Sequence, residues 1–300
     1  MVDLAPAAGL DMLLDAHPRD VLGHAELLPL LAMVVPDVEF RAFAAKHGGV
    51  DPRALEDLVV ATYGESTLVL GLGDFDGPSL ERAFSDRTTR VTLRAIDRRG
   101  GPLSSIVRVE GAPEADHLAL VMFGRRAIGL ETHAVTGRAG PLRVSELFAM
   151  NRLARAKPAL RAPPLDVAMR AMGNAPVRVF FPGPFEGETG NGLAGLLRAA
   201  TAVAIAVRVG DTSATFDVTV SLFGAWNEDA PKAGQRFAAA VENMTRSDLG
   251  RLCGWHEPIQ GPDLTTSPTI LTVSARIDAV KLAQGARAAT RGQIEEIMKE

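Results

Sequence analysis

The chain has a single cysteine, Cys253, among its 300 residues. One thiol cannot form an intrachain disulfide, and it cannot supply the several thiolates of a cysteine-built zinc site or iron–sulfur cluster. No two of the six histidines have the three- or four-residue spacing that places two ligands on one helical face. The sequence therefore predicts no metal centre and no bound cofactor.

Long apolar runs and a clear excess of one charge are also absent. The longest apolar runs, residues 27–35 and 199–207, fall far short of the roughly 20 residues that cross a bilayer, so we expect no membrane span. The formal net charge of -4, with both signs interspersed, offers no basic face for phosphates, and we expect no nucleic-acid partner. The N-terminus lacks the basic and apolar segments of a signal peptide. Either the protein is cytoplasmic, or a signal has been removed from its precursor.

The overall composition is that of a globular protein, with 47% apolar and 23% charged residues. A chain of 300 residues exceeds the roughly 100 to 150 residues that one domain usually contains, which favours two lobes. The prolines between Lys157 and Pro164 interrupt a helical pattern and suggest the joint. We expect an N-terminal tail or spacer at residues 1–18, a first lobe at 19–157 and a second lobe at 158–300.

A pattern of helix, strand, tight turn, strand and helix occurs twice, at residues 51–84 and 190–244. The two copies share order and period rather than residue identity. In the second copy, "TFDVTVSL" alternates completely between apolar and polar residues, as a half-buried strand does. The sequence thus predicts an α+β fold with two lobes, each an antiparallel sheet with helices on one face, related by a degenerate internal duplication.

Other segments give more local predictions. The run "RDVLGHAEL", residues 19–27, is interpreted as a short strand, and residues 28–49 as two helical pieces interrupted at Pro36 and ended by glycines. Closely spaced strands imply antiparallel hairpins in the first lobe. Four such strands are expected, at residues 90–97, 103–110, 117–123 and 126–132.

Three segments superficially resemble catalytic or phosphate-binding motifs. "GLGDFDG" at residues 71–77 has a displaced third glycine, so a plain strand-to-helix turn explains it better than a dinucleotide site. The loop "GPFEGETGNG" carries two glutamates that would repel phosphate. In "CGWHEP", Cys253 and His256 are neighbours, whereas thiol enzymes usually bring this pair together from distant positions. We therefore predict no catalytic residues.

The run "GGVDPRALEDLVVATYGESTLVLGLGDFDGPSLERAF" has a Gly-x-Asp-Pro helix start, a "DLVVA" strand, a second strand and a "LERAF" helix. In this order of sequence features, the chain resembles a loose group of uncharacterised envelope lipoproteins of high-GC Gram-negative bacteria over about residues 19–135. The resemblance implies a location at the cell envelope or in the periplasm, with a lipid anchor on the native precursor. It carries no catalytic or binding residues.

These observations favour a non-enzymatic binding or scaffold module at the cell envelope, with an unknown protein or small ligand as its partner. The alternative is a small-ligand binding protein or an enzyme with its site in the cleft between the lobes. Aromatic residues make up only 5% of the chain, and three large ones lie in or beside turns of the second lobe. We predict that Phe185, Trp226 and Trp255 mark a partner patch near the glycine-rich loop 182–191.

Overall fold

The structure is a computed structural model that describes residues 1–88, 90–97, 106–112, 118–132, 140–152, 156–211, 214–247, 250 and 258–290. It contains helices and antiparallel strand pairs, which confirms the predicted α+β class. The chain forms two compact units. Unit 1 comprises Met1–Asp20 and Val38–Val167, and unit 2 comprises Val21–Asp37 and Ala168–Glu300.

Unit 1 contains a seven-stranded sheet in the order β1-β2-β3-β7-β6-β5-β4, and every neighbouring pair is antiparallel. All four strands predicted between residues 90 and 132 are present. The strands are β1 (Met12–Ala16), β2 (Asp57–Tyr63), β3 (Ser66–Leu72), β4 (Arg90–Asp97), β5 (Ile106–Ala112), β6 (Leu118–Phe123) and β7 (Ala127–Thr132).

Unit 2 contains a five-stranded antiparallel sheet in the order β8-β9-β10-β12-β11. The alternating segment predicted as a strand forms the middle of β10. The sequence analysis did not predict β11, an edge strand in which every residue is exposed. The strands are β8 (Val177–Pro182), β9 (Ala200–Val209), β10 (Thr215–Gly224), β11 (Gln260–Thr266) and β12 (Ile270–Asp278).

Helices connect and cover these strands, and the interruption predicted at Pro36 separates two of them. The α-helices are α1 (Pro18–Leu22), α2 (Leu28–Val34), α3 (Asp37–Lys46), α4 (Gly77–Ser85), α5 (Pro141–Ala149), α6 (Leu165–Met172), α7 (Gly187–Gly190), α8 (Ala230–Thr245) and α9 (Ala279–Thr290). Short 3₁₀ segments are Val2–Leu4, Pro52–Ala54, Ala159–Arg161, Leu193–Ala199 and Asn227–Asp229.

Two local expectations for the start of the chain need correction. Residues 19–27 were expected to form a strand, but residues up to Leu22 lie in α1. Pro18 explains the difference, because its fixed φ and missing N–H suit the first turn of a helix. Residues 1–18 were expected to be a tail or spacer, yet they contain β1, in which Leu13 and Asp15 are buried. This strand pairs with β2 along its whole length.

Each of the two units buries apolar side chains of its own. In unit 2, α8 packs Phe237 and Val241 on the sheet against Leu222 and Leu271, and Phe237 is fully buried. Trp226, at the start of the connection to α8, belongs to the same apolar cluster. In unit 1, Phe84 of α4 packs against a smaller group of side chains from β5 and β6.

Candidate functional site

The three predicted aromatic residues do not have equal surroundings. Trp226 is only 6% exposed, and its indole N–H donates a hydrogen bond of 3.3 Å to the carbonyl oxygen of Leu222. Phe185 is half-buried and packs against the same apolar cluster of unit 2. Trp255 lies outside the described residues. Phe185 and Trp226 therefore help to build the core of unit 2, and their role in a partner patch stays a prediction.

The glycine-rich loop that was predicted beside this patch is tightly folded. It contains the short helix α7, and the backbone at Gly190 comes so close to Phe185 that an added Cβ would lie 2.7 Å from the Phe185 carbonyl oxygen. A larger residue at position 190 would push the two backbone segments apart. Glycine is thus required here for close approach, and the loop holds Phe185 against the core.

The turn that follows this loop has an unfavourable backbone conformation. Leu193 and Ala194 have φ values of 48° and 58°, and Gly195 continues with 78°. Residues other than glycine rarely adopt this left-handed region, and each such residue costs on the order of 1–3 kcal/mol. The Gly195 N–H donates to the Asn191 carbonyl at 2.9 Å, and the Arg236 guanidinium donates to the Ala194 carbonyl. The surrounding structure therefore holds the strained turn in place.

An open groove runs between this turn and α8. Its volume is about 480 Å³. One wall is the strained turn, and the other is the exposed face of the second half of α8. Small alanine side chains make the wall on α8 flat, Met244 gives it an adaptable apolar end, and Arg236 and Asn243 contribute hydrogen-bond donors. The lining residues are Leu193, Ala194, Arg236, Ala239, Ala240, Asn243 and Met244.

Unit 1 contains a different kind of polar site, a group of buried charges under α5. Glu131 of β7 is 1% exposed. It accepts hydrogen bonds of 3.1 Å from the Ser66 hydroxyl and from the Leu142 backbone N–H in the first turn of α5. Burial raises the pKa of the Glu131 carboxyl, and the nearby negative charge of Glu110 acts in the same direction. Burial, and then the charge of Glu131, also raise the pKa of Tyr63.

A second buried carboxylate connects the middle of α5 to the sheet. Glu146 of α5 is 1% exposed and accepts a hydrogen bond of 2.6 Å from Nη1 of Arg108 in β5. Arg143 also pairs with Glu146, and the Arg108 Nε donates to Glu110. Arg108 and Arg143 thus pair with Glu110 and Glu146 where α5 meets the sheet.

These hydrogen bonds and ion pairs attach α5 to the sheet, which is a structural role rather than general acid–base catalysis. Glu131 is engaged by donors on both of its oxygens, and one of these donors is an N-terminal N–H of α5 that needs a partner. Sequence reasoning missed these residues. A signal was present in β7, where Ala127, Gly129 and Glu131 alternate on the buried face, which places a carboxylate among inward-facing residues.

Within the part of the chain that the structure describes, no group of three His, Cys, Asp or Glu side chains is arranged to hold a metal ion. No helix in those residues has the length and hydropathy needed to cross a membrane. No family model, no curated protein and no solved structure matches this chain. The role of the groove is therefore inferred from the side chains that line it.

Proposed function

We propose that this protein is a non-enzymatic binding module whose partner surface is the groove between residues 193–195 and α8. The strained turn beside the groove is the observation that carries this proposal. Leu193 and Ala194 adopt positive φ values that destabilise the folded state, and glycine at these positions would remove this strain. Backbone strain of this kind is found mainly at functional sites. The groove also lies next to the loop at residues 182–191, where the sequence predicted binding.

The chemistry of the groove favours a protein segment as the partner. Its exposed wall combines alanine and methionine with two donors that belong to Arg236 and Asn243, and Arg198 lies close by in the sequence of the turn. A peptide with apolar side chains and a carboxylate would satisfy both kinds of surface, because Arg pairs with carboxylates in a fixed fork geometry. Methionine-rich surfaces adapt to such partners.

A further part of the proposal concerns the origin of the fold. We propose that the two units descend from one duplicated element. Apart from α2, which belongs to unit 2, each unit has a strand, a hairpin and a following helix in the same order, which are β1, β2–β3 and α4 in unit 1 and β8, β9–β10 and α8 in unit 2. In each sheet, the third of these strands then pairs with the last strand of its unit, β7 or β12. Unit 1 contains an additional hairpin, β4–β5, that has no counterpart in the described part of unit 2.

The resemblance noted for residues 19–135 supports a location at the cell envelope, with a lipid anchor on the precursor. Fractionation of the native host, followed by immunodetection of the chromosomal protein, tests this location. We expect the protein in the envelope fraction. Recovery in the cytoplasmic fraction would contradict the location and leave the proposed groove to be tested separately.

The groove itself is tested by site-specific photo-crosslinking in the native host. A benzophenone side chain replaces Ala239, which lines the groove, and in a matched control it replaces Lys232, which lies on α8 outside the groove. We expect a discrete adduct from position 239 and none from position 232. Adding Ala240→Trp, which fills the groove, should remove the adduct at position 239.

Three results would overturn the proposal. One is an equal yield of the same adduct from both positions, because contact would then be non-specific. Another is an adduct at position 239 that survives Ala240→Trp in a protein with an unchanged circular dichroism spectrum. A complete absence of adducts at position 239, with efficient activation of the probe, would also exclude a partner at this groove.

A further inference from the structure

An asparagine followed by glycine occurs at Asn191–Gly192, at the end of the glycine-rich loop and directly before the strained turn. Asn191 is exposed. In an Asn-Gly pair the side-chain amide is lost more readily than in other asparagine dipeptides, because glycine has no Cβ to hinder attack by its own backbone nitrogen. The other asparagines of the chain, each followed by a larger residue, are Asn151, Asn174, Asn227 and Asn243.

The side-chain amide of Asn191 is held in a way that favours this reaction. The guanidinium of Arg198 donates a hydrogen bond to its Oδ1. During attack on Cγ this oxygen gains negative charge, and a charged donor that is already in place stabilises that charge. Arg198 is also exposed, so water has access to the site. The contact with Arg198 therefore lowers the barrier to attack on the amide carbon.

The folded loop restrains the other reactant, the backbone nitrogen of Gly192. Its N–H donates a hydrogen bond of 2.9 Å to the Thr189 carbonyl oxygen, although the nitrogen must lose this proton to attack. Asn191 has a helical ψ of -14°, and ring closure requires ψ to rotate away from this value. The reaction thus requires local opening of the loop. The strain at Leu193 and Ala194 makes such opening less costly.

We propose that Asn191 is a site of spontaneous deamidation that Arg198 assists. The Gly192 nitrogen attacks Cγ of Asn191 and forms a new C–N bond. The C–N bond of the side-chain amide breaks, and ammonia leaves with the proton that the Gly192 nitrogen gives up. Water then opens the succinimide at either carbonyl, which produces aspartate or isoaspartate at position 191. Water is the one co-reactant that this sequence of steps consumes.

The modification changes the wall of the groove, a consequence that rests on the function proposed above. The Asn191 carbonyl accepts a hydrogen bond of 2.9 Å from the Gly195 N–H and so helps to hold the strained turn. In isoaspartate this carbonyl becomes part of a free carboxylate, and the backbone runs through the former side chain with an additional methylene. Either product also places a negative charge beside Arg198. A partner that presents a carboxylate should then bind more weakly.

Prolonged incubation of the full chain at mildly alkaline pH, followed by proteolysis and mass spectrometry, tests the proposal. We expect deamidation at Asn191 to be at least tenfold faster than at Asn243, an exposed asparagine of α8. Arg198→Met should slow the reaction at Asn191 at least threefold. The matched variant Arg246→Met changes an exposed arginine that pairs with Glu242, and it should leave the rate unchanged.

Arg198→Lys separates the role of the charged donor from an indirect effect on the loop. It should retain most of the rate, because a lysine ammonium can also donate to Oδ1. The proposal is overturned if Asn191 reacts no faster than Asn243. It is also overturned if Arg198→Met reacts as fast as the unaltered chain, or if Arg198→Lys is as slow as Arg198→Met.

These rates are measured on the isolated chain, so they do not depend on whether a partner occupies the groove. The effect on the groove is tested separately, by adding Asn191→Asp to the chain with the benzophenone probe at position 239. We expect a lower yield of the adduct than from the unmodified loop. An unchanged yield would refute the regulatory consequence while the deamidation site and the groove both stand. Failure of every adduct at position 239 would instead refute the groove.

Discussion

The two units share the order of their central strands, but different interactions hold α5 of unit 1 and α8 of unit 2 against their sheets. In unit 1, α5 is held by carboxylates and arginines, with Glu131 at its first turn and Glu146 paired with Arg108. In unit 2, α8 is held by an apolar cluster around Phe237, and α9 leaves an apolar pocket beside α2. A common strand order thus accommodates apolar packing at α4 and α8 and, in unit 1, an additional set of buried ion pairs at α5.

The difference has consequences for how each unit responds to its environment. Buried ion pairs bring a desolvation cost that their attraction only partly offsets, and they respond to pH. An apolar interface has no such dependence, and its stability scales with the area removed from water. We therefore expect unit 1 to be the pH-sensitive part of the molecule and unit 2 to be the part most sensitive to the volume of its side chains.

The largest expected effect comes from Phe237→Ala in unit 2. The side chain is fully buried in the apolar cluster, and its loss should lower the free energy of unfolding by about 3–5 kcal/mol. Urea denaturation measures this through the fluorescence of Trp226, which belongs to the same cluster, with Trp255→Phe as the background. Phe84→Ala in α4 is the matched change in unit 1 and should leave the Trp226 transition in place. A loss below about 1 kcal/mol for Phe237→Ala would contradict the importance assigned to this cluster.

The second effect concerns the buried ion pair of unit 1. Arg108→Met removes one partner of Glu146 and leaves a buried carboxylate with Arg143 alone, which should destabilise unit 1 by about 3 kcal/mol at neutral pH. Hydrogen exchange of the amides in β5 and β6 reports this loss locally. The Trp226 transition of unit 2 should change much less.

The double variant Arg108→Met, Glu146→Gln separates the cost of an unpaired charge from the loss of packing. Because the uncompensated charge is then gone, most of the protection against hydrogen exchange should return. If the double variant is as unstable as Arg108→Met, the contribution of Arg108 lies in the packing of its alkyl chain, and the comparison between a charged and an apolar interface would need to be revised.

Much of the strand pattern follows from the sequence because the information is local. The alternation in β10 and the turn signals around β2 and β3 are sufficient to identify these strands. The edge strand β11 escaped prediction because all of its residues are exposed, so its side chains show no alternation between a buried and a solvent-facing side. Its extended form depends on the backbone pairing with β12, which leaves no period in the segment itself.

The candidate sites were harder to predict for related physical reasons. Nothing in the residue types of Leu193 and Ala194 favours positive φ, so the strained turn depends on the contacts that enclose it. Trp226 was expected near a binding surface because it lies in or beside a turn, yet its ring belongs to the core. A turn position specifies the backbone direction but not the direction of a large side chain, which tertiary packing decides.

The smallest expected effect is a change in pH dependence from Glu131→Gln in unit 1. Burial, and then the charge of Glu110, raise the pKa of the Glu131 carboxyl above its ordinary value in the unfolded chain. Between the two pKa values the folded state therefore binds more protons than the unfolded state, so the free energy of unfolding decreases as the pH rises through this window. Stability from this group is complete below the ordinary pKa and is lost above the raised one. Glutamine can still accept a hydrogen bond from the Leu142 N–H but does not titrate.

The variant should accordingly flatten the fall in stability that begins above the ordinary carboxyl pKa of 4.5, where the unfolded chain has already released this proton and the folded chain still holds it. The measurement is a series of urea denaturation curves at intervals of pH for the unaltered chain and for Glu131→Gln, read out by circular dichroism. Glu65→Gln is the matched control, because Glu65 is exposed in the turn between β2 and β3 of the same unit, and it should reproduce the pH profile of the unaltered chain. A Glu131→Gln profile parallel to that of the unaltered chain would mean that Glu131 titrates normally, and the pH sensitivity assigned to the charged interface of unit 1 would have to come from other groups.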